Sequence, residues 1–280
     1  IAPSGRAEGG RLVRGVSPGG RSMQALGAAF GRLAGEGPGG NDFCTTLAPL
    51  YQVMYVARGR IEGQLTAVEA VAPPDATTVL ELGCGTGHLL AELSASFPRA
   101  VGADPSPEMV RLARERAEHV CRADAHAFAT EGVDVAVLLG AVLGHVSPGA
   151  AGREVVSQLY RSLSPDGRAV CSVHRRLESP RSRELTRRAH GYEITQRDEQ
   201  RPTGADTFEW AVSFEVTETA TGETRRASTT TTLRAFTPAE LAGWFDDAGF
   251  VDVATRPRRY VDGPGETDRA FLLTARRPRA

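Results

Sequence analysis

Val79-Leu80-Glu81-Leu82-Gly83-Cys84-Gly85-Thr86-Gly87 carries an apolar strand directly into three alternating glycines. Without a Cβ, glycine takes positive φ and lets a ligand lie against the backbone, so three in five residues predict a turn built to hold something. In the dinucleotide fingerprint G-x-G-x-x-G the third glycine falls five residues after the first, and the helix behind it faces a pyrophosphate. Here the spacing is G-x-G-x-G, with His88 where that third glycine would sit. Glu81 puts a carboxylate beside the loop, which suits a cationic ligand better than a diphosphate.

Outward from this loop, strand and helix patterns alternate. Strands are predicted at 78–82, 100–103, 120–123, 133–139 and 168–174, with helices at about 87–97, 107–118 and 150–163. Such alternation implies parallel strands joined by crossover helices, hence a doubly wound α/β sheet over residues 76–175. Pro165-Asp166-Gly167 is a turn signal feeding the fifth strand. Upstream, Leu47, Leu50, Tyr51, Met54 and Tyr55 recur at helical spacing, so residues 41–75 read as a helical cap ended by Pro73-Pro74. Residues 1–40 are glycine-rich and poor in aromatics, a composition that predicts a flexible tail with a short helix around Met23–Leu33.

Downstream, 176–205 shows no clear period and reads as a loop with at most one helix. Phe208, Trp210, Val212, Phe214 and Val216 then occupy every second position, the period of a strand with one buried face. With a turn at Thr221-Gly222 and the run Thr229–Leu233, they predict an antiparallel hairpin, so 176–236 is an insertion. A helix at 238–248, opened by Thr237-Pro238 and closed by Gly249, begins the C-terminal completion of the sheet over 237–280, with strands near 251–256 and 269–275.

Composition narrows the partners. The formal net charge of −1 over 280 residues gives no electrostatic reason to expect nucleic acid or a membrane surface, so a small molecule is the expected partner. All 33 basic residues are Arg, so no lysine chemistry is available. The four cysteines are widely spaced, which fits reduced, buried thiols rather than a disulfide framework or a metal site. No apolar run approaches the ~20 residues that span a bilayer, and no apolar signal core opens the sequence, so a soluble cytoplasmic protein is expected.

Further acidic residues fall at successive strand ends. Asp104, in Gly102-Ala103-Asp104-Pro105-Ser106-Pro107-Glu108-Met109, follows Gly83 by 21 residues, where a carboxylate can accept both hydroxyls of a ribose. Asp124 lies in Arg122-Ala123-Asp124-Ala125 at the third strand end, and Asp134–Gly140 closes the fourth. Ligands of open α/β sheets bind along that edge.

These segments resemble motifs I, II and IV of the class I S-adenosylmethionine-dependent methyltransferases, over about residues 45–275. The resemblance implies a Rossmann-like seven-stranded fold and S-adenosylmethionine as cofactor. It implies that Glu81, Gly83, Gly85 and Gly87 cradle the methionine end with the carbonyls near Leu139, that Asp104 takes the ribose, and that Met109, Asp124 and Ala125 meet the adenine. Tyr51–Arg60, the pair Gly144-His145 and the antiparallel insertion are similar to the small-molecule members that include the TDP-amino-sugar N,N-dimethyltransferases. In that group the first aromatic of the N-terminal element and the histidine border the methyl-transfer site, which maps onto Tyr51 and His145. After Arg60 this chain departs from the group, with Ile61-Glu62 in place of an acidic-aromatic pair, and Arg58 stands in for a cofactor-carboxylate contact. His174 and Arg175 can reach an acidic group on the acceptor.

N-methylation of an amine such as an amino sugar is the first reading. O- or C-methylation of a natural-product scaffold and a non-catalytic S-adenosylmethionine-binding module are the alternatives. The fourth-strand end, Leu139-Gly140-Ala141-Val142, lacks the run that grips a flipped base, which argues against a nucleic-acid acceptor. The apolar face of the hairpin could cover the core or a second subunit, hence a possible homodimer.

Overall fold

The computed structural model describes residues 27, 30, 44, 48–56, 58–128, 130–146, 151–258 and 269–279, with the side chain of Arg58 outside that description. Two helices, α1 (Ala48–Tyr55) and α2 (Arg58–Glu69), precede a central alternation of β1 (Thr78–Leu82), α3 (His88–Ser96), β2 (Arg99–Asp104), α4 (Pro107–Ala113) and β3 (Val120–Arg122). It continues through β4 (Val133–Leu138), α5 (Val142–Val146), α6 (Ala151–Ser162) and β5 (Leu163–His174). The insertion holds β6 (Arg181–Ala189), β7 (Tyr192–Pro202), β8 (Thr207–Glu218) and β9 (Thr224–Arg234). The chain then returns through α7 (Pro238–Asp247), β10 (Val251–Pro257) and β11 (Ala270–Arg276).

The main sheet has seven strands in the order β10-β11-β5-β4-β1-β2-β3, with β11 antiparallel to both neighbours and β1 to β5 mutually parallel. Its central strands are buried on both faces, which is why Val79-Leu80-Glu81-Leu82 and Val135-Ala136-Val137-Leu138 read as near-continuous apolar runs rather than alternating ones. One apolar cluster lies under α6 and α7, around Leu159, Phe245 and Phe271, and another under α3, around Val79, Leu90 and Val135. The chain runs from β1 outward to β3, then crosses back to β4 on the other side of β1. This places a topological switch point between β1 and β4, the position where open α/β sheets bind ligands.

Local signals set the helix starts. Ser106 caps α4, accepting the Met109 N–H at 3.2 Å ahead of Pro107, and Thr237 caps α7 by accepting the Glu240 N–H at 3.1 Å ahead of Pro238. Pro165-Asp166-Gly167 is an irregularity inside β5 rather than a turn before it, with Asp166 at φ +64° and held by Arg276 at 3.1 Å.

The insertion differs most from expectation. Residues 176–205 are not a loop: they supply β6 and β7, so the predicted hairpin is the second half of a four-stranded antiparallel meander, β6-β7-β8-β9. The first turn is His190-Gly191, both at positive φ (+51° and +83°), the geometry of a two-residue hairpin. Outward-facing charges pair across strands, Arg188 with Glu193 and Arg197 with Glu184, each at 2.6 Å. These exposed pairs each contribute at most about 1 kcal/mol.

The inner face of the meander packs on α1: Leu50 and Met54 meet Ile194, Val212, Phe214 and Val216. Phe30 joins them, 7% exposed, its ring 5.2 Å from Tyr192 and under the Arg225 guanidinium at 4.4 Å. Within the predicted flexible tail, Phe30 is thus a docked residue, because an aromatic side chain gains enough by burial to offset its ordering; the rest of residues 1–40 apart from Gly27 lies outside the described residues. At its other end α1 packs Ala48 and Tyr51 on Met109 and Leu112 of α4. Helix α1 therefore bridges the main sheet and the insertion, and the space they enclose is the site. Among the described residues no helix is long and apolar enough to cross a membrane. Cys84 and Cys171 are buried free thiols, whereas Cys44 is exposed rather than buried.

Candidate active site

The glycine loop leaves β1 with Gly83, Gly85 and Gly87 all at positive φ (+71°, +54° and +77°). Each glycine is needed for a different reason. A Cβ on Gly83 would stand 2.4 Å from Val142 Cγ2, and one on Gly87 would stand 2.8 Å from the Ala113 backbone. Gly85 has nothing within 4 Å of that position and opens into a cavity of about 280 Å³ that Gly83 also lines. Gly87 is left to turn the chain into α3 against α4, away from the cavity lining.

Asp104, at the end of β2, holds this loop open. Its Oδ2 accepts the Gly85 N–H at 2.9 Å and its Oδ1 accepts the Ser106 N–H at 2.9 Å. Burial raises its carboxyl above the ordinary range, opposed by those two N–H donors. Glu81 lies beneath the loop rather than in the cavity lining, 5% exposed, its carboxyl held well above the usual range by burial and by Asp104. Glu81 Oε2 has no hydrogen-bond partner among the described residues, and a buried acceptor in that state calls for a donor from a ligand or water.

Farther along the edge, Met109, Asp124 and Ala125 line the same cavity, as do Leu139 and Gly140 after β4. Asp124 accepts from the His126 ring at 2.7 Å through Oδ1. After β4, Gly140 and Ala141 both take positive φ (+81° and +65°), and the Gly140 N–H donates to Ser172 Oγ at 3.0 Å. Positive φ in Ala141 costs on the order of 1 kcal/mol, a strain that turns α5 over the cavity and brings in His145.

Tyr51 lines the cavity from α1, stacked on Tyr55 with ring centroids 4.9 Å apart. Burial raises its phenol; Arg60 opposes this, and Cys44, Asp104 and Glu81 add to it, so its hydroxyl lies within the field of the glycine-loop acids. His145 is pushed down to about 4 by burial, and His174 to about 3 by burial with Arg258, His145 and Arg60 adding to it. Both imidazoles are therefore neutral at physiological pH. The unfolded chain binds a proton at His145 near pH 6.5 while the folded chain refuses it until about pH 4, so falling pH destabilises the fold across that window. Replacing His145 by Gln is expected to remove that loss. In denaturant titrations the stability of the wild type relative to the variant should drop by about 3 kcal/mol between pH 7 and pH 4.

Of the remaining expected site residues, His174 lines the cavity but Arg175 does not: its guanidinium lies over the Phe271 ring at 5.2 Å. The side chain of Arg58 is outside the described residues, and Arg60, two residues on, lines the cavity. The far wall carries residues with no motif in the sequence: Arg181, Arg183 and Asp198 from β6 and β7, Trp210 from β8, and Arg258 and Arg269 flanking the last two strands. For Arg181, Arg183 and Asp198 the signal is polar residues at inward positions of strands, visible only once those strands are known.

With the geometry in place, comparison supplies the family. A model described as a methyltransferase domain matches residues 57–255. The chain belongs to the methyltransferase-domain family. It is 33% identical over 147 residues to the ubiquinone/menaquinone biosynthesis C-methyltransferase UbiE of Desulfotalea psychrophila, covering 49% of the chain and 58% of that protein. The chain spans about half the length of the curated relatives it matches. Its fold is similar to DesVI of Streptomyces venezuelae (TM-score 0.73, 20% identity, covering 84% of this chain and 98% of that one). It is also similar to CalS10, a SAM-bound amino pentose methyltransferase from Micromonospora echinaspora involved in calicheamicin biosynthesis (0.63, 22%, 89% and 96%). A third similar structure is the sugar N-methyltransferase KedS8 from Streptoalloteichus sp. (0.65, 22%, 79% and 87%). The chain therefore has the Rossmann-like fold of these structures, with an antiparallel sheet inserted after β5.

Proposed function

We propose that this protein transfers a methyl group from S-adenosylmethionine to a small-molecule amine, with an amino sugar as the model acceptor. The observation that carries the reading is one cavity that joins the glycine loop and Asp104 to Tyr51, His145 and the inward residues of the meander. The residues fit the cofactor: Gly83 and Gly85 leave the backbone bare, Asp104 offers a carboxylate for the ribose, and Leu139 and Gly140 line the same cavity beside the expected methionine end. Asp124, Ala125 and Met109 would meet the adenine. When bound, S-adenosylmethionine supplies an electrophilic methyl on a sulfonium.

The chain's own residues then have two tasks. The first is orientation, which can account for much of the barrier reduction when two reactants are aligned. Tyr51, from the α1 end nearest Asp104, and His145, from the α5 turn, border the region between the glycine loop and the meander. The second is to meet the amine in its neutral form: an amine attacks only through a free lone pair, and His145, which stays neutral until about pH 4, can accept a hydrogen bond from the amine N–H and aim that lone pair while the proton itself leaves to solvent. The arginines of the far wall suit an acidic group on the acceptor, since guanidinium offers a planar fork to phosphate or carboxylate.

A screen of amino sugars, simple amines and phenols with S-adenosylmethionine, read by mass spectrometry, is expected to give a +14 product from amine acceptors first. A +14 product confined to phenols or carbon acids would replace the N-methylation reading with an O- or C-methyltransferase. The C-methyltransferase among the relatives keeps that second reading in view.

A further inference from the structure

The lining acids divide by position. Asp104 and Asp124 belong to the glycine-loop end, and among the described residues Asp198 is the acid at the other. It comes from the middle of β7, opposite Arg183 of β6 and Val212 of β8, and points to the inner face of the meander with its side chain 15% exposed. Its carboxylate is held by three side chains. Oδ1 accepts from the Tyr55 hydroxyl at 3.1 Å, from Trp210 Nε1 at 3.1 Å and from Gln196 Nε2 at 2.7 Å. Oδ2 accepts from the same Gln196 amide at 2.8 Å, and Arg183 Nε pairs with it as an ion at 3.8 Å, beyond hydrogen-bond reach.

A carboxylate has about four lone-pair sites. Three donors saturate Oδ1, while Oδ2 shares one amide and keeps capacity for a donor arriving from the cavity. The rings around it are aromatic: Tyr55 lies 6.1 Å edge-on to Trp210, and Trp210 lies 6.4 Å from His145. A fixed anion beside electron-rich ring faces is the chemistry that recognises an ammonium or an N–H group. An inner-face strand position of a meander is ordinarily apolar, as Ile194 is on the same strand, and here Gln196 and Asp198 bring polar groups to the point where the face turns from core to cavity.

Resting on the reading of the site as that of a methyltransferase with an amine acceptor, we propose that Asp198 is the acceptor-recognition residue, taking an N–H of the acceptor's amino group on Oδ2 while Tyr55, Trp210 and Gln196 fix the carboxylate. Selectivity for amines over alcohols of the same shape is the consequence, because an ammonium meets the carboxylate as an ion pair as well as through a hydrogen bond, whereas an alcohol offers the hydrogen bond alone.

The test uses cyclohexylamine and cyclohexanol, which match in shape and differ in charge at neutral pH. Both are titrated into the protein saturated with S-adenosylhomocysteine, which occupies the Asp104 end, and followed by the indole N–H resonance of Trp210, assigned by its loss in Trp210→Phe. The wild type is expected to bind the amine about tenfold more tightly than the alcohol. Asp198→Asn should bring the two within about threefold and Asp198→Glu should restore part of the difference, with S-adenosylhomocysteine affinity unchanged in both. Equal affinities in the wild type, or a preference that survives Asp198→Asn, would overturn the assignment. If Asp198→Asn does not fold, the wild-type preference alone decides. A wild type that binds no S-adenosylhomocysteine overturns the methyltransferase reading itself, and this outcome is read in a separate titration.

Discussion

Gly83→Ala is expected to destabilise the protein by about 2–4 kcal/mol and to weaken S-adenosylhomocysteine binding at least about a hundredfold. Two costs combine at this position. The backbone sits at φ +71°, where an L side chain loses roughly 1–2 kcal/mol. The new methyl would also stand 2.4 Å and 2.9 Å from the two γ-methyls of Val142, and Val142 cannot swing aside cheaply because a β-branched side chain on a helix has essentially one χ1 rotamer. Helix α5 must therefore shift, and His145 shifts with it. The comparison variant is Gly85→Ala, whose methyl would meet nothing within 4 Å. It should lose only the backbone term in stability, yet still lose ligand, because its methyl lies where the ligand approaches. Adding Val142→Ala to Gly83→Ala should return the packing part of the lost stability and leave the φ part. Denaturant unfolding and calorimetric titration of the three variants check this. Gly83→Ala with wild-type stability and affinity would mean that the loop does not hold the ligand.

The physics that makes Gly83 sensitive also made it legible. Strands β1 to β5 are buried on both faces or end in turns with few allowed chemistries, so their apolar runs, the glycine spacing and the acids at their ends appear in the sequence much as they stand in the fold. The same holds for Ser106-Pro107 and Thr237-Pro238, where a hydroxyl and a fixed φ specify a helix start without help from tertiary contacts. The meander was hidden for the opposite reason. Strand β7 buries Tyr192 and Ile194 against α1, and there its alternation is apolar. Two residues on, the inward position is the buried Gln196, and beyond it the strand faces the cavity with Asp198 and Gln200, so the period continues in polar residues that pattern reading counts as loop. Strand β6 does the same with Arg181 and Arg183. The turn between them, His190-Gly191, is not among the dipeptides that announce a hairpin, although its φ values are those of one. Arg175 shows the converse: an arginine just past a strand end looked available for an acceptor and is instead stacked on Phe271. Sequence pattern fails here where residues serve a site rather than a core.

Asp104→Ala is expected to lower S-adenosylhomocysteine affinity by about a hundred- to a thousandfold, the scale of two lost bonds to a charged acceptor. The carboxylate does more than face the ribose. It receives the Gly85 N–H on one oxygen and the Ser106 N–H on the other, each at 2.9 Å, so it clamps the glycine loop to the start of α4. Ser106 in turn caps α4 and donates its hydroxyl to the Cys44 carbonyl at 2.6 Å, so the clamp reaches the segment that leads into α1. Removing the carboxylate orphans two N–H groups in a site where Asp104 itself is only 7% exposed. Asp104→Asn keeps one acceptor oxygen, and its loss of affinity should be nearer tenfold. The pH dependence separates charge from shape. Burial raises the Asp104 carboxyl above the ordinary range, so on lowering the pH the wild type should protonate this group, and lose ligand, earlier than a solvated aspartate would. Asp104→Asn cannot titrate there and should bind weakly but with a flatter acid limb. Titration of wild type and both variants from pH 8 to pH 5 measures this, and equal slopes in wild type and Asp104→Asn would show that the charge of Asp104 does not hold the ligand.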